Sequence, residues 1–207
     1  MTTLALPLRR TVLADRVFPR TLVMDIVLVL AGAALVTVLA QVAIPLWPVP
    51  ITGQTLGVLL VGSTLGWARG AISMALYAVL GLVGLPVYSD GSHGATVLFG
   101  ATGGYIIGFI VSAALVGWLA ERQWDRKILK ALVTFVAGSV VVFAIGLPWL
   151  AVVLHTDLPT TLQYGLYPFI IGGLIKAAIA AGLLPLAWWG ADRIAKNRAA
   201  DQAPPVE

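Results

Sequence analysis

Charged side chains are confined to a few short segments of this 207-residue chain, and long apolar stretches lie between them. Charged residues make up 11% of the chain and hydrophobic residues 59%. A soluble domain has about 25% charged and about 45–50% apolar residues. So few charges cannot cover the surface of a water-soluble globule, and the high hydrophobicity excludes a disordered chain. We therefore expect an integral membrane protein.

Six apolar stretches are candidates for membrane-spanning helices, since about 20 apolar residues cross the hydrocarbon layer of a bilayer. We place them at 22–46, 51–66, 71–85, 103–120, 129–147 and 167–189, with a long loop at 148–165. The second and third stretches are short and rich in glycine. The first is longer than the apolar core of a cleavable signal peptide, so we expect it to be retained as a span.

The basic residues indicate how these spans are oriented. With six spans, twelve of the thirteen Lys and Arg residues fall on one side of the membrane. Basic loops prefer the cytoplasmic side, which predicts an all-α protein of six transmembrane helices with both termini in the cytoplasm. The predicted organisation is a cytoplasmic segment at 1–21, a membrane domain at 22–190 and a cytoplasmic tail at 191–207. The net charge of +4 then reflects topology rather than nucleic-acid binding.

Lys176 is the one basic residue that falls deep inside a span. It lies nine residues into the sixth stretch, about 14 Å along the helix axis. A charge at that depth costs roughly 2.5–3.5 kcal/mol, so it is expected to face the bundle interior. No span holds an acid at a similar depth, which favours an anionic ligand group such as a carboxylate; a structural lysine that snorkels or pairs with an acid is the alternative.

Gly172 and Gly173 precede Lys176 by four and three residues and therefore share its face of the helix. Their missing side chains either leave room for a ligand or allow close helix packing. Thr52 and Gln54, near the outer end of the second stretch, are polar groups that either bind a ligand or cap a helix.

The residues needed for common catalytic sites are missing. The chain has no cysteine and only two histidines, which argues against thiolate chemistry and a metal site. It lacks the phosphate-loop motif of ATPases and the G-x-S-x-G nucleophile motif. We expect no cofactor and no enzymatic activity. One enzyme alternative remains open: an intramembrane enzyme that acts on lipid through His93 and Asp90, or through His155 and Asp157.

Three segments of the chain closely resemble the BioY family, the biotin-specific substrate-binding components (S components) of energy-coupling factor transporters. They are Pro48–Tyr88, which begins P-V-P-I-T-G-Q-T, Gly91–Phe109, which contains G-A-T-G-G-Y, and Tyr167–Ala181, which contains the lysine. The resemblance implies six helices and a biotin pocket near the outer surface. The lysine of the family's sixth span matches Lys176, which we expect to contact the carboxylate or the ureido ring of biotin. Further lining residues are expected at Thr52, Gln54, Tyr88, Asp90, Tyr105, Tyr167, Gly172 and Gly173.

The chain departs from the family pattern at Gly173, where relatives usually have an acid three residues before the lysine. Asp90, Asp157 or Gln54 are candidates to replace it. Family members dock on a transmembrane coupling subunit through small residues four apart on the first span, which Ala33 and Thr37 match imperfectly. The implied partners are that subunit, two cytoplasmic ATPases and the lipid of a prokaryotic cell membrane. An S component for another vitamin, such as thiamine or riboflavin, is the remaining alternative.

Overall fold

A computed structural model describes residues 12–201, with side chains for residues 12–193. Over that range the chain is a helical bundle with one short antiparallel hairpin, in which β1 (Ala43–Ile44) pairs with β2 (Ile51–Thr52). The helices are α1 Leu13–Val17, α2 Leu22–Ala40, α3 Gln54–Leu65, α4 Trp67–Leu82, α5 Ala95–Leu98, α6 Gly103–Ala120, α7 Ile128–Leu154, α8 Leu158–Gly165 and α9 Tyr167–Asp201.

Four of the helices in the described range are long and apolar enough to cross a membrane, namely α2, α6, α7 and α9. The apolar helices α3 and α4 are shorter, roughly 18 and 24 Å at 1.5 Å per residue, against a hydrocarbon layer of about 30 Å. The helical class and the multi-span character predicted from the sequence are confirmed. The full set of six spans, the cytoplasmic termini and the three-part domain division stay predictions.

Several predicted boundaries differ from the structure. The first span ends at Ala40, because the hairpin and the prolines at 45, 48 and 50 replace helix beyond Gln41. The predicted loop at 148–165 is wrong. Helix α7 continues through Pro148 to Leu154, and α8 follows. Proline removes one backbone donor, which a packed membrane helix tolerates. Helix α9 continues to Asp201, past the predicted end of the sixth stretch at 189.

Helix α6 is the most buried of the four long spans, and small residues let its neighbours approach it closely. A methyl group added at Gly108 would lie 3.1 Å from the backbone of Val142 in α7. The hydroxyl of Ser112 donates a hydrogen bond to the carbonyl of Gly138, also in α7, at 2.9 Å. Gly108 and Ser112 therefore belong to a helix-packing face, which brings α6 against the middle of α7.

The predicted N-terminal segment 1–21 includes α1, which an ion-pair cluster attaches to the bundle; residues 1–11 lie outside the described range. The Asp15 carboxylate accepts hydrogen bonds from Arg20 and from Arg69, and Arg69 also contacts Asp25 at 2.9 Å. Burial opposes ionisation of Asp15, but the two guanidinium groups outweigh it and lower the pKa of the carboxyl. The cluster therefore fixes α1 to α2 and α4.

Candidate ligand-binding site

A cavity of about 410 Å³ opens at the end of the bundle where α2 ends and α3, α6 and α9 begin. Small-molecule sites typically have volumes of about 300–1,000 Å³. Its walls are mainly apolar. They come from the loop before α3, from α6 and α7, and from the start of α9. The principal apolar lining residues are Pro45, Leu46, Pro48, Val49, Val97, Ile106, Phe109, Val142, Phe143 and Phe169.

Lys176 projects from α9 into this cavity. Its ammonium group donates to the carbonyl oxygen of Thr52 at 2.5 Å and to the hydroxyl of Thr55 at 3.2 Å. In residues 12–193 no acidic side chain forms an ion pair with it. The lysine faces the bundle interior, as its depth in the sequence predicted. It is thus a cation held by neutral oxygens beside a space large enough for a ligand.

A buried chain of hydrogen bonds continues from Thr52 away from the lysine. The Thr52 hydroxyl donates to the side-chain carbonyl of Gln54 at 2.6 Å, and the Gln54 amide donates to the Tyr77 hydroxyl at 2.5 Å. Thr52 and Gln54 both line the cavity, whereas Tyr77 lies fully buried behind them. Because each group is held by its neighbour, the Gln54 amide is fixed in place at the cavity wall.

Tyr88 forms another part of the cavity wall. Its ring fits there because Gly81 has no side chain. A methyl group at Gly81 would lie 2.1 Å from the Tyr88 ring, so the ring packs directly on the backbone of α4. The Tyr88 hydroxyl donates to the carbonyl of Ala78 at 2.6 Å. Burial raises the pKa of this phenol, so the hydroxyl stays protonated and able to donate.

Gln41, at the end of α2, holds the loop that carries Asp90 over the cavity. Its amide donates to the carbonyl of Tyr88 at 3.1 Å and to that of Thr37 at 3.0 Å. Its side-chain oxygen accepts from the backbone N–H of Gly91 at 3.0 Å. The loop between these contacts includes Asp90, which has a left-handed backbone at φ 54 and lines the cavity. One side chain thus ties both ends of this short turn to α2.

Replacing Gln41 with glutamate is expected to loosen this turn. The carboxylate still accepts from Gly91 but cannot donate to Tyr88, whose carbonyl it would then repel. The loss of one or two hydrogen bonds at about 0.5–1.5 kcal/mol each predicts a rise in the dissociation rate of the bound ligand of roughly two- to a hundredfold. A chase experiment with labelled ligand measures the rate. The exposed Gln163→Glu change is the matched control, and equal rates in the two variants contradict the role of Gln41.

The cavity brings together most, but not all, of the residues expected from the sequence. The residues among them that line it are Thr52, Gln54, Tyr88, Asp90, Tyr105, Gly173 and Lys176. Tyr167 is 58% exposed and lies outside the lining, and Gly172 is outside it as well. Phe169 takes the place expected for Tyr167, because it lies seven residues, about two helical turns, before Lys176 and shares its face.

Two other expected roles do not fit the structure. Ala33 is only 2% exposed and packs inside the chain's own bundle, so it is unavailable as a docking surface for a partner; Thr37 is half-buried and donates to the carbonyl of Ala33. Asp157 caps the start of α8 by accepting from the Thr160 N–H and does not line the cavity. Asp90 and Gln54 remain as candidates, because both line the same cavity as Gly173, where the family acid is missing.

Three of the residues named in the enzyme alternative end or cap helices, or contact a nearby backbone group. His155 ends α7 in a left-handed conformation, and Asp157 caps α8. His93 contacts the carbonyl of Gly91. Within residues 12–193 no hydrogen bond joins His93 to Asp90 or His155 to Asp157, so neither pair forms the nucleophile–base contact that hydrolysis needs.

Comparison with known proteins is in line with the resemblance seen in the sequence. The model of the BioY family matches residues 9–193. A protein of Thermotoga maritima named biotin transporter BioY is 40% identical over 148 residues, which cover 72% of this chain and 86% of that protein. The biotin transporter BioY2 of Lactococcus lactis subsp. cremoris is 36% identical over 155 residues, which cover 75% of this chain and 85% of the relative.

A solved structure has the same arrangement of helices. The crystal structure of the S component for biotin from an ECF-type ABC transporter superposes with a TM-score of 0.70 at 28% identity. The match covers 79% of this chain and 89% of that chain. The similarity therefore extends over nearly the whole of the solved S component, including its overall fold.

Proposed function

We propose, because the chain belongs to the BioY family, that it binds biotin in the cavity beside Lys176 and mediates its uptake as the S component of an energy-coupling factor transporter. The observation that carries this function is the ammonium group of Lys176 in a cavity with mainly apolar walls, where no acid of residues 12–193 forms an ion pair with it. The chain is a multi-pass membrane protein, and we place it in the cell membrane of a prokaryote.

The polar groups around Lys176 match the ureido ring of biotin better than its carboxylate. The lysine and Thr55 offer donors, while the Thr52 carbonyl and the Gln54 side-chain oxygen offer acceptors. A ureido edge has one carbonyl acceptor and two N–H donors, so it can use both kinds of partner. A carboxylate only accepts hydrogen bonds and would face the two acceptor oxygens without a proton to share. We therefore assign Lys176 to the ureido carbonyl.

The remaining walls suit the rest of the ligand. Phe109, Phe143 and Phe169 present apolar surface to the cavity, which favours the bicyclic ring and the aliphatic chain. Thiamine, one alternative ligand, carries a fixed positive charge that Lys176 would repel. Riboflavin lacks that conflict, so a ligand competition experiment has to include it.

The arrangement in the membrane and the partners follow from the family. We propose six spans, with α3 and α4 shielded by the longer helices, and both termini in the cytoplasm. The cavity then lies near the outer surface. A transmembrane coupling subunit and two ATPases would supply the energy for release. Since Ala33 is buried, the surface of α2 that is available to the coupling subunit is the exposed face that includes Ala31 and Ala34.

The direct test is to ask whether the purified chain carries biotin. Protein from cells grown with biotin is purified in detergent, and the released ligand is identified by mass spectrometry. We expect close to one biotin per chain. Competition with thiamine and riboflavin at a hundredfold excess should leave that biotin bound. Displacement of biotin by either vitamin, or a purified chain that neither carries nor binds biotin, would overturn the proposal.

A further inference from the structure

We propose that the end of the bundle opposite the cavity binds the phosphate of an anionic phospholipid. The binding surface, here named the α7 basic patch, consists of Arg126, Lys127 and Lys130 with the exposed apolar residues Ile128 and Leu129. Three cations in five positions precede or begin α7, where the chain returns into the apolar span. This proposal does not depend on the ligand of the cavity.

Aromatic rings contact three of the cations at this end of the bundle. The Arg126 guanidinium lies 4.0 Å from the centre of the Trp188 ring, and the Lys130 ammonium lies 5.6 Å from that of Trp124. Nearby, Arg122 stacks on Trp118 at 3.4 Å. Tryptophan prefers the interface between hydrocarbon and headgroups, and Trp118 is 45% exposed, which places this end of the bundle at the level of lipid phosphates.

The two acidic residues nearest in sequence, Glu121 and Asp125, form hydrogen bonds to groups outside the α7 basic patch. Glu121 accepts from the backbone N–H of Trp67, and Asp125 is fully buried and accepts from the Trp188 indole at 2.6 Å. Burial raises the pKa of Asp125 above its usual value. In residues 12–193 neither Lys127 nor Lys130 forms an ion pair, and the Nε of Arg126 is buried without a hydrogen-bond partner. Lys127 and Lys130 therefore present positive charge that no acid of the described residues pairs, whereas Arg126 has the Asp125 carboxylate beside it.

The apolar residues of the same helix turn identify a lipid rather than a soluble anion. Ile128 is 65% exposed and Leu129 is 75% exposed, next to cations on either side in sequence. They begin a helix long and apolar enough to cross the membrane. An acyl chain can lie along this surface while the phosphate reaches Lys127 and Lys130, which are three residues apart and share one face. A lipid offers both parts in one molecule.

Native mass spectrometry of the full chain with an equimolar mixture of phosphatidylglycerol and phosphatidylcholine tests the proposal, since both lipids can carry the same acyl chains. We expect the wild-type chain to prefer phosphatidylglycerol. The Lys127→Gln/Lys130→Gln variant should lose roughly thirtyfold of that preference, as each of the two basic residues near an anionic surface contributes about 1 kcal/mol. The Lys127→Arg/Lys130→Arg variant keeps the charge and should keep the preference.

Arg16→Gln serves as the control, because it removes a cation that Asp192 already pairs. It should leave the preference unchanged, and the thermal unfolding midpoint should be the same in all variants. Equal binding of the two lipids by the wild-type chain overturns the proposal, as does a preference that survives in Lys127→Gln/Lys130→Gln. Displacement of phosphatidylglycerol by millimolar glycerol 3-phosphate would show a site for soluble phosphate instead. Loss of ATPase assembly with unchanged lipid preference would assign the patch to a protein partner.

Discussion

Lys176→Met is expected to weaken biotin binding roughly ten- to a hundredfold. Methionine has a similar length and no charge, so the variant removes the donor without opening a large void. A hydrogen bond to a charged group contributes about 1.5–3 kcal/mol, which gives this range of affinity. Isothermal titration calorimetry in detergent measures it. The chain should still fold, since no carboxylate in the described residues depends on Lys176 for its charge balance.

The methyl ester of biotin shows which end of the ligand meets the lysine. If Lys176 donates to the ureido carbonyl, the substitution weakens biotin and its methyl ester by the same factor. A loss confined to biotin would place the carboxylate there and overturn our assignment. Lys130→Met, at the opposite end of the bundle, is the matched control and should bind biotin normally. Unchanged affinity in Lys176→Met would remove the lysine from the site altogether.

Gly81→Ala is expected to disrupt both the fold and the site. The new methyl group would lie 2.1 Å from the Tyr88 ring, which is only 1% exposed, so the ring or the helix backbone would have to shift. Overpacking of this kind typically costs about 1–3 kcal/mol in the free energy of unfolding. Because Tyr88 also lines the cavity, biotin affinity should fall with it. Thermal unfolding followed by tryptophan fluorescence measures the first effect and calorimetry the second.

A double-mutant cycle distinguishes the steric clash of Gly81→Ala with the Tyr88 ring from the general effect of placing alanine in a helix. Tyr88→Ala removes the ring, so Gly81→Ala should add little destabilisation to that background. Gly182→Ala is the control within a helix, because a methyl group there meets nothing within 4 Å. Additive effects of Gly81→Ala and Tyr88→Ala, or equal effects of Gly81→Ala and Gly182→Ala, would contradict the packing of Tyr88 on Gly81.

That the protein is a helical membrane protein could be predicted from the sequence, because the prediction depends only on the lengths of the apolar stretches and on the positions of the charges. Apolar length and the position of charges need no knowledge of neighbours, and α6 was predicted with both of its ends correct. The short helices α3 and α4 were recognised as short for the same reason. Pro148 misled the prediction, since a proline that would end an isolated helix is kept within α7.

Lys176 could be singled out from the sequence because burying an isolated cation is costly wherever it packs, and its inward position follows from that cost alone. Which other residues reach the cavity depends on how the helices rotate against one another. The periodicity of α9 allows either Tyr167 or Phe169 near the lysine, and only packing selects Phe169. In the same way, packing buries Ala33 and lets Gln41 bridge to a loop almost fifty residues away. Such contacts join segments distant along the chain, and no local pattern records them.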